Sequence, residues 1–285
     1  MPENDPQALS KPEAIGVERS SEHLTTLAKG LRVLTSFSRE TPSMTLSEVA
    51  KKTGLNAAVA RRCLLTLCDL GYVGKLEGRF TLRPEVLVFA TLFNETFDLD
   101  NTIRPALQEL RSKTDHSASF TVITGGDVLY IAHTSTHRVL RLQANTGTRF
   151  PALLTSTGRS ILSTWQDHEI RQFINRYPVA AMTNNTVTAP DAIFSTILAA
   201  REQGYAFISD ELEYGITSLA VPVHVSGYGV VGAVNSSATT SQIDVAEFVQ
   251  ERLDELQRTA EKIGRRLKTA PDLLAAIRSM AQRSQ

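Results

Sequence analysis

Two short helices separated by a glycine and followed at once by a hairpin constrain this chain more than any other feature of its sequence. Thr45-Leu46-Ser47-Glu48 has the spacing of a capping box, in which the threonine oxygen accepts an amide hydrogen and the glutamate reaches back. The helix that follows is predicted to end at Gly54, because glycine readily adopts the left-handed conformation that terminates helices. Asn56 then caps another helix, which is predicted to run to about Leu70 and to end at Gly71.

Four apolar residues of this second helix fall on one side of it. Arg62 lies opposite that stripe and Arg61 flanks it; the stripe consists of Ala60, Cys63, Leu64 and Leu67. Upstream, a helix is predicted over about 24–37, where the apolar residues are Leu24, Leu27, Leu31, Leu34 and Phe37. Downstream, extended segments at 72–73 and 79–82 are joined by a turn at 74–78. This order predicts a winged helix-turn-helix, whose second helix enters the major groove of DNA.

The local charge favours the same interpretation. Residues 45–83 contain seven basic side chains and three acidic ones, although 30 Lys and Arg balance 30 Asp and Glu over the whole chain. Phosphate contacts supply much of the affinity for DNA, so the excess favours a DNA-binding surface over the alternative, a helical bundle with solvated charges. The predicted contacts to double-stranded DNA are Thr45, Asn56, Ala57, Arg61, Arg62, Lys75 and Arg79.

From about Asp98 onward, the pattern changes to helices mixed with strand-like segments. Strands are predicted at 118–124, 128–133, 139–143, 205–209, 218–225 and 230–236. Helices are predicted at 86–97, 102–113, 156–165, 168–176 and 245–267. Thr188-Ala189-Pro190-Asp191 is interpreted as a second capping box, with proline at the first helical position, for a helix that ends at Gly204. The chain is therefore predicted to be α+β, with two domains.

The motifs that could indicate catalysis or a bound cofactor do not lie in the secondary structure that such sites require. Gly227–Gly232 matches GxGxxG, but a strand rather than a helix is predicted after it, so we interpret it as a β-hairpin turn. Cys63 and Cys68 lie five residues apart on a helix and do not share a face, which argues against zinc. His133 and His137 fall in a predicted strand and loop, and no GxSxG motif occurs. We expect no catalytic residue, no metal and no cofactor.

The sequence also indicates a cytoplasmic protein. No apolar run reaches the ~18 residues that span a bilayer. Residues 1–20 lack the basic-then-apolar pattern of a secretory signal. Only two cysteines occur, so a secreted disulfide framework is not indicated. We expect a cytoplasmic location and no membrane partner.

Residues 45–73, TLSEVAKKTGLNAAVARRCLLTLCDLGYV, resemble the IclR family of bacterial transcriptional regulators. Three later segments resemble the same family in the same order, namely RFPA with TSTGR at 149–159, Asp210-Glu211 with Gly215 and SLAVPV at 210–223, and GAVNSS at 232–237. The resemblance covers about residues 24–267. The Arg61-Arg62 pair and the 149–159 segment look closest to the branch that regulates protocatechuate, 4-hydroxybenzoate and β-ketoadipate catabolism.

The resemblance implies a GAF-like C-terminal domain that binds a small organic acid. It also implies a homodimer, often paired into a tetramer, on a palindromic operator. The effector contacts that it implies are Ser156, Thr157, Ile216, Ser218, Asn235 and Ser237. These are small polar groups beside an apolar wall, which suits a small polar acid. Arg149 is the first candidate for a charged clamp on the acid, with Arg138 and Arg141 as alternatives.

The predicted organisation is a disordered lead at 1–22, a winged helix-turn-helix domain at 23–83, a linker helix at 84–99, an effector-binding domain at 100–270 and a C-terminal tail at 271–285. The predicted function is ligand-responsive regulation of an aromatic-acid catabolic operon, with a small aromatic or ring-cleavage-derived acid as effector. The alternative is a metabolite-binding protein or enzyme whose helical N-terminal domain serves assembly only.

Overall fold

The computed structural model describes residues 22–135 and 144–281 of the chain. They fall into two compact units, an N-terminal one within Gly16–Thr96 and a C-terminal one that begins at Phe97. Each unit is described by itself. Among the described residues, none of the helices combines the length and the apolar character that crossing a bilayer requires.

The N-terminal unit is a three-helix core with a small antiparallel sheet. Its helices are α1 (Thr25–Leu34), α2 (Leu46–Thr53), α3 (Ala57–Asp69) and α4 (Leu87–Phe97), the last preceded by a 3-10 turn at Pro84–Val86. Its strands are β1 (Ser43–Thr45), β2 (Val73–Leu76) and β3 (Arg79–Leu82), in the order β1-β3-β2. The predicted hairpin is confirmed. A third strand, β1, pairs with β3 and was not predicted, because this pairing joins residues far apart in sequence.

The apolar stripe of α3 is buried as predicted, whereas the stripe of α1 is mostly not. Ala60 and Leu64 are fully buried, in a core that includes Val33, Met44 and Phe80. The α1 stripe instead leaves its first three leucines exposed, with fractional exposures of 70% at Leu24, 60% at Leu27 and 48% at Leu31. The same helical spacing therefore makes a core on α3 and a surface on α1.

The C-terminal unit is a six-stranded antiparallel sheet with helices on both faces. Its helices are α5 (Leu99–Thr102), α6 (Arg104–Thr114), α7 (Ser156–Leu162), α8 (Asp167–Arg176), α9 (Pro190–Gln203), α10 (Val245–Lys268) and α11 (Pro271–Ala281). Its strands are β4 (Ser117–Thr124), β5 (Asp127–Thr134), β6 (Arg149–Pro151), β7 (Ala206–Ser209), β8 (Ile216–Val225) and β9 (Gly229–Thr239), in the order β6-β5-β4-β9-β8-β7. Helix α7 packs on one face, and α10, with α6 and α11 beside it, packs on the other.

Several expectations for this unit are wrong in detail. The Thr188 capping box is absent, because Ala189 is the N-cap residue of α9 and no side chain caps it, although proline does open the helix. The helix predicted at 102–113 is confirmed as α6, but it begins two residues later, at Arg104, with Pro105 in its first turn. The segment 271–285, predicted to be a tail, contains α11, whose Leu273 is buried. The strand predicted at 139–143 lies outside the described residues.

Candidate nucleic-acid interface and effector site

The turn between α2 and α3 is set by two caps, both as predicted. The Thr45 hydroxyl accepts from the Glu48 amide at 3.3 Å, and the Glu48 carboxylate accepts from the Thr45 amide at 2.6 Å, which completes the capping box. The bonds that the Glu48 carboxylate accepts from the Thr45 amide and hydroxyl lower the pKa of Glu48. Gly54 ends α2 with φ of 66°, a left-handed conformation that glycine adopts without strain. At the start of α3, the Asn56 carboxamide oxygen accepts from the Val59 amide at 2.8 Å.

Helix α3 presents a partly basic face to solvent. Ala57, Arg61 and Arg62 are all exposed. Neither guanidinium makes a hydrogen bond or ion pair with any described residue. Because an arginine that is not tied down retains all five of its N–H donors, both side chains can bind phosphates or the acceptor edge of guanine.

The two basic residues predicted on the hairpin differ in their contacts. Lys75 is exposed, with its Nζ 5.6 Å from the centre of the Phe80 ring. Arg79 instead donates to the Ser43 carbonyl at 2.7 Å and to Glu48 Oε2 at 3.1 Å, and so joins β3 to the α2 cap. Thr45 and Arg79 therefore hold the start of α2 against β3. The other basic side chains among the predicted contacts make no ion pair with a described residue: Arg61, Arg62 and Lys75.

Four of the predicted effector residues meet in one hydrogen-bonded group, which we call the hydroxyl cluster: Ser156, Ser218, Asn235 and Ser237. The Ser156 and Ser218 hydroxyls are 2.7 Å apart. The Asn235 carboxamide nitrogen donates to both Ser218 and Ser237 at 2.9 Å, and the Ser237 hydroxyl donates to Ser218 at 2.9 Å. The register of β8 on β9, which sets Ser218 opposite Ser237, brings these side chains together.

Buried polar atoms beside the hydroxyl cluster lack partners. Asn235 Oδ1, Thr157 Oγ1 and Ser160 Oγ have no hydrogen-bond partner in the described part of the chain, and all three residues are at most 3% exposed. An unsatisfied buried polar group costs about 1–3 kcal/mol. A polar ligand at the hydroxyl cluster would satisfy Asn235 Oδ1, while Ile216, two residues before Ser218 on the same strand face, supplies an apolar wall.

The predicted charged clamp is not part of this arrangement. Phe150 packs into the core beneath the hydroxyl cluster, and Arg149, its neighbour on β6, points to the opposite face of the sheet because side chains alternate along a strand. The structure therefore does not bring Arg149 to the hydroxyl cluster, and its role as a clamp stays a prediction. The alternatives, Arg138 and Arg141, lie outside the described residues.

A buried ion pair joins two of the segments around the hydroxyl cluster, and the sequence analysis did not predict it. Arg159 donates to Glu211 through two nitrogens, at 2.7 and 2.6 Å, and its Nε donates to the Leu153 carbonyl at 2.8 Å. Glu211 Oε2 also accepts from the Val187 amide at 3.2 Å. The pair therefore ties α7, which begins with Ser156, to the loop before β8. A lone arginine and a lone glutamate 52 positions apart carry no sequence signal of this contact.

His133 was also set aside from the sequence, yet it lies on the same sheet. Its Nδ1 is 3.0 Å from the Ser119 hydroxyl on the neighbouring strand, and burial lowers the pKa of His133 to about 4. His137, which was considered with it, lies outside the described residues. Only the strand pairing, and not the spacing of the two histidines, reveals the contact.

Both units match one family of proteins. The model for the IclR helix-turn-helix domain matches residues 26–77, and that for the bacterial transcriptional regulator IclR C-terminal domain matches residues 93–265. The chain is 30% identical to the Pca regulon regulatory protein of Pseudomonas putida over 80% of this chain and 79% of that protein. It is 31% identical to the Pca operon regulatory protein of Acinetobacter baylyi over 86% of this chain and 90% of that protein.

A solved structure shows the same fold. A transcriptional regulator from Rhodococcus sp. RHA1 superposes with a TM-score of 0.75 at 33% identity, over 87% of this chain and 99% of that one. The predicted winged helix-turn-helix and mixed C-terminal domain are thereby confirmed. The chain belongs to the IclR family of bacterial transcriptional regulators.

Proposed function

We propose that this protein regulates an aromatic-acid catabolic operon by binding a palindromic operator through α3, under the control of a small acid bound in the C-terminal unit. The observation that carries the DNA-binding half is the pair of exposed, unpaired guanidinium groups of Arg61 and Arg62 on a doubly capped helix-turn-helix. The free amides at the start of α3 add a second means of holding a phosphate.

The effector half rests on the hydroxyl cluster and its unsatisfied atoms. The carboxylate of an effector would accept hydrogen bonds from hydroxyl and amide groups that now bond to one another at 2.7–2.9 Å. The start of α7 adds the Ser156 and Thr157 amides, whose direction favours an anion. The two Pca regulators among the relatives support the choice of an aromatic or ring-cleavage-derived acid.

Dimerisation explains the exposed leucines of the N-terminal unit. Leu27 and Leu31 of α1, and Leu87 and Leu92 of α4, are between 48% and 64% exposed. Exposed apolar side chains that form a patch mark protein–protein contacts. We infer that two chains bury these faces against each other, and that effector binding changes the spacing of the two α3 helices relative to the operator half-sites. Pairing of dimers into tetramers would add a second such contact.

The DNA-binding half is tested by binding of the purified protein to the DNA upstream of its own gene. Arg62→Ala removes a contact worth about 1–3 kcal/mol if it is bidentate, so we expect about a tenfold to hundredfold weaker complex. The control is Arg258→Ala, which removes an exposed arginine of α10 and should leave affinity unchanged. Equal binding by Arg62→Ala and the parent protein would contradict the role of α3.

The effector half is tested by the same measurement in the presence of aromatic acids and their ring-cleavage products. An acid at a hundred times its dissociation constant should also raise the stability of the protein by about 2.7 kcal/mol. If none of these acids changes either the DNA affinity or the melting temperature, the assignment to aromatic catabolism is wrong, although DNA binding can still stand.

A further inference from the structure

Polar residues continue from the hydroxyl cluster across the sheet in a single row. Strand pairing places Ser119 on β4 directly opposite Asn235 on β9, and places His133 on β5 directly opposite Ser119. Directly opposed residues of paired strands point to the same face. His133, Ser119 and Asn235 therefore share the face on which the hydroxyl cluster lies.

The far end of this row carries hydrogen-bonding groups without charge. Ser119 is buried and its hydroxyl is 3.0 Å from Nδ1 of His133, so the imidazole is held in place. Burial holds the pKa of His133 near 4, and the imidazole is neutral at neutral pH. The ring of Tyr130 lies edge-on to the imidazole, with 6.4 Å between ring centres, and forms an aromatic wall.

Unsatisfied atoms along the row indicate that something polar belongs there. Asn235 Oδ1 is buried without a partner in the middle of the row. Thr121, two residues along β4 from Ser119 and on the same face, is completely buried, and its hydroxyl also has no partner in the described part of the chain. Both atoms lie on the face that carries the hydroxyl cluster, and a polar ligand there would supply the missing partners.

We propose that His133, positioned by Ser119, is a specificity-determining contact of the effector site and hydrogen-bonds through Nε2 to an uncharged hydroxyl that the effector acid carries at the end opposite its carboxylate. This inference rests on the proposed effector site at the hydroxyl cluster. The neutral ring can pair with a hydroxyl in either of its tautomers. If Nδ1 accepts from Ser119, Nε2 carries the proton and donates; if Nδ1 donates to Ser119, Nε2 accepts.

The geometry of the row limits the ligand further. Paired strands lie about 4.8 Å apart, so the backbones at His133 and Asn235 are separated by about 10 Å, part of which the side chains fill. A ligand that bonds both to His133 and to the hydroxyl cluster must therefore carry its two polar groups at opposite ends.

Calorimetric titration of the full-length protein with 4-hydroxybenzoate and with benzoate tests this inference, since the two acids differ only in the para hydroxyl. The parent protein should prefer 4-hydroxybenzoate by about tenfold, equivalent to about 1.4 kcal/mol. His133→Leu should reduce that preference to less than about twofold, and His133→Gln, whose carboxamide can still hydrogen-bond a hydroxyl, should reduce it less. Ser119→Ala should reduce it less, because it frees the ring without removing it. The exposed His224 provides the matched control, and His224→Gln should retain the full preference.

The titration distinguishes a wrong role for His133 from a wrong assignment of the effector site. If the parent protein binds both acids and the His133 variants keep its preference for 4-hydroxybenzoate, the role of His133 is wrong and the effector site stands. If the parent binds both acids equally, the inference is again wrong. If the parent binds neither acid but binds another aromatic or ring-cleavage-derived acid, this inference is wrong and the effector proposal stands. Should His133→Leu not fold, Ser119→Ala alone decides, by whether the preference falls.

Discussion

The two units of this protein differ in where their polar side chains find partners. In the N-terminal unit, the Thr45 and Asn56 caps bond to residues three positions away, and Arg61 and Arg62 are left to solvent. In the C-terminal unit, Ser156 bonds to Ser218 across 62 positions and is buried. A surface that binds a large polyanion can be made from local structure, whereas an enclosed site for a small molecule requires distant segments to meet.

The sharpest test of this difference is the buried pair of Arg159 and Glu211. Arg159→Leu leaves Glu211 buried without its partner, and we expect a loss of about 3–5 kcal/mol in the free energy of unfolding of the C-terminal unit. Trp165 is the only tryptophan in the chain and lies in this unit, so its fluorescence during urea denaturation reports the effect selectively.

An exposed ion pair provides the control for that measurement. Arg265 and Glu261 are 71% and 70% exposed, and Arg265→Leu should cost less than about 1 kcal/mol. The double variant Arg159→Leu with Glu211→Leu should recover much of the loss, since no unpaired charge remains buried. Equal costs for Arg159→Leu and Arg265→Leu would contradict the role of the buried pair.

The second test measures how the stability of the C-terminal unit depends on pH through His133. The folded-state pKa of His133 is lowered from 6.5 to about 4 by burial, so the unfolded chain takes up a proton first as the pH falls between these values. Stability should therefore decrease through this window, by at most about 3 kcal/mol. Urea denaturation followed at Trp165 from pH 7 to pH 4 should show a smaller decrease for His133→Gln. Identical pH profiles for the two proteins would show that His133 is not buried as described.

The smallest effect is expected in the N-terminal unit. Asn56→Ala removes the α3 cap and should destabilise that unit by about 1 kcal/mol, because one helix-terminal amide loses its partner. Hydrogen exchange of the first α3 amides measures this directly. Asn56→Ser keeps a capping oxygen and should exchange nearly as slowly as the parent. Faster exchange in both variants alike would mean that the carboxamide does more than cap the helix.

The predictions made from the sequence succeeded where structure is local. The α2 capping box, the Asn56 cap and the Gly54 terminator each depend on groups within a few positions of one another, and all three are present. Periodicity also predicted the buried stripe of α3. The same periodicity on α1 could not tell that Leu24 and Leu27 are exposed in the single chain, because spacing defines a face without defining what covers it.

The candidate effector site was only partly predictable. The resemblance to the family identified Ser156, Ser218 and Asn235, which the structure brings together, and Arg149, which it places on the other face of the sheet. Strand β6, which carries Arg149, was not predicted as a strand, so its alternation was not available to show where that side chain points. The contact between Arg159 and Glu211 had no local signal at all.

The sequence by itself determined the helix-turn-helix, its caps, its hairpin and the basic face of α3, because hydrogen bonds and periodicity over a few residues specify these features. Only the tertiary structure decided that Ser119 and His133 adjoin the hydroxyl cluster and that Arg159 reaches Glu211. Those contacts depend on strand order and register in a sheet whose neighbouring strands, such as β4 and β9, are far apart in the chain. That order is settled by how the whole core packs, and no short stretch of residues encodes it.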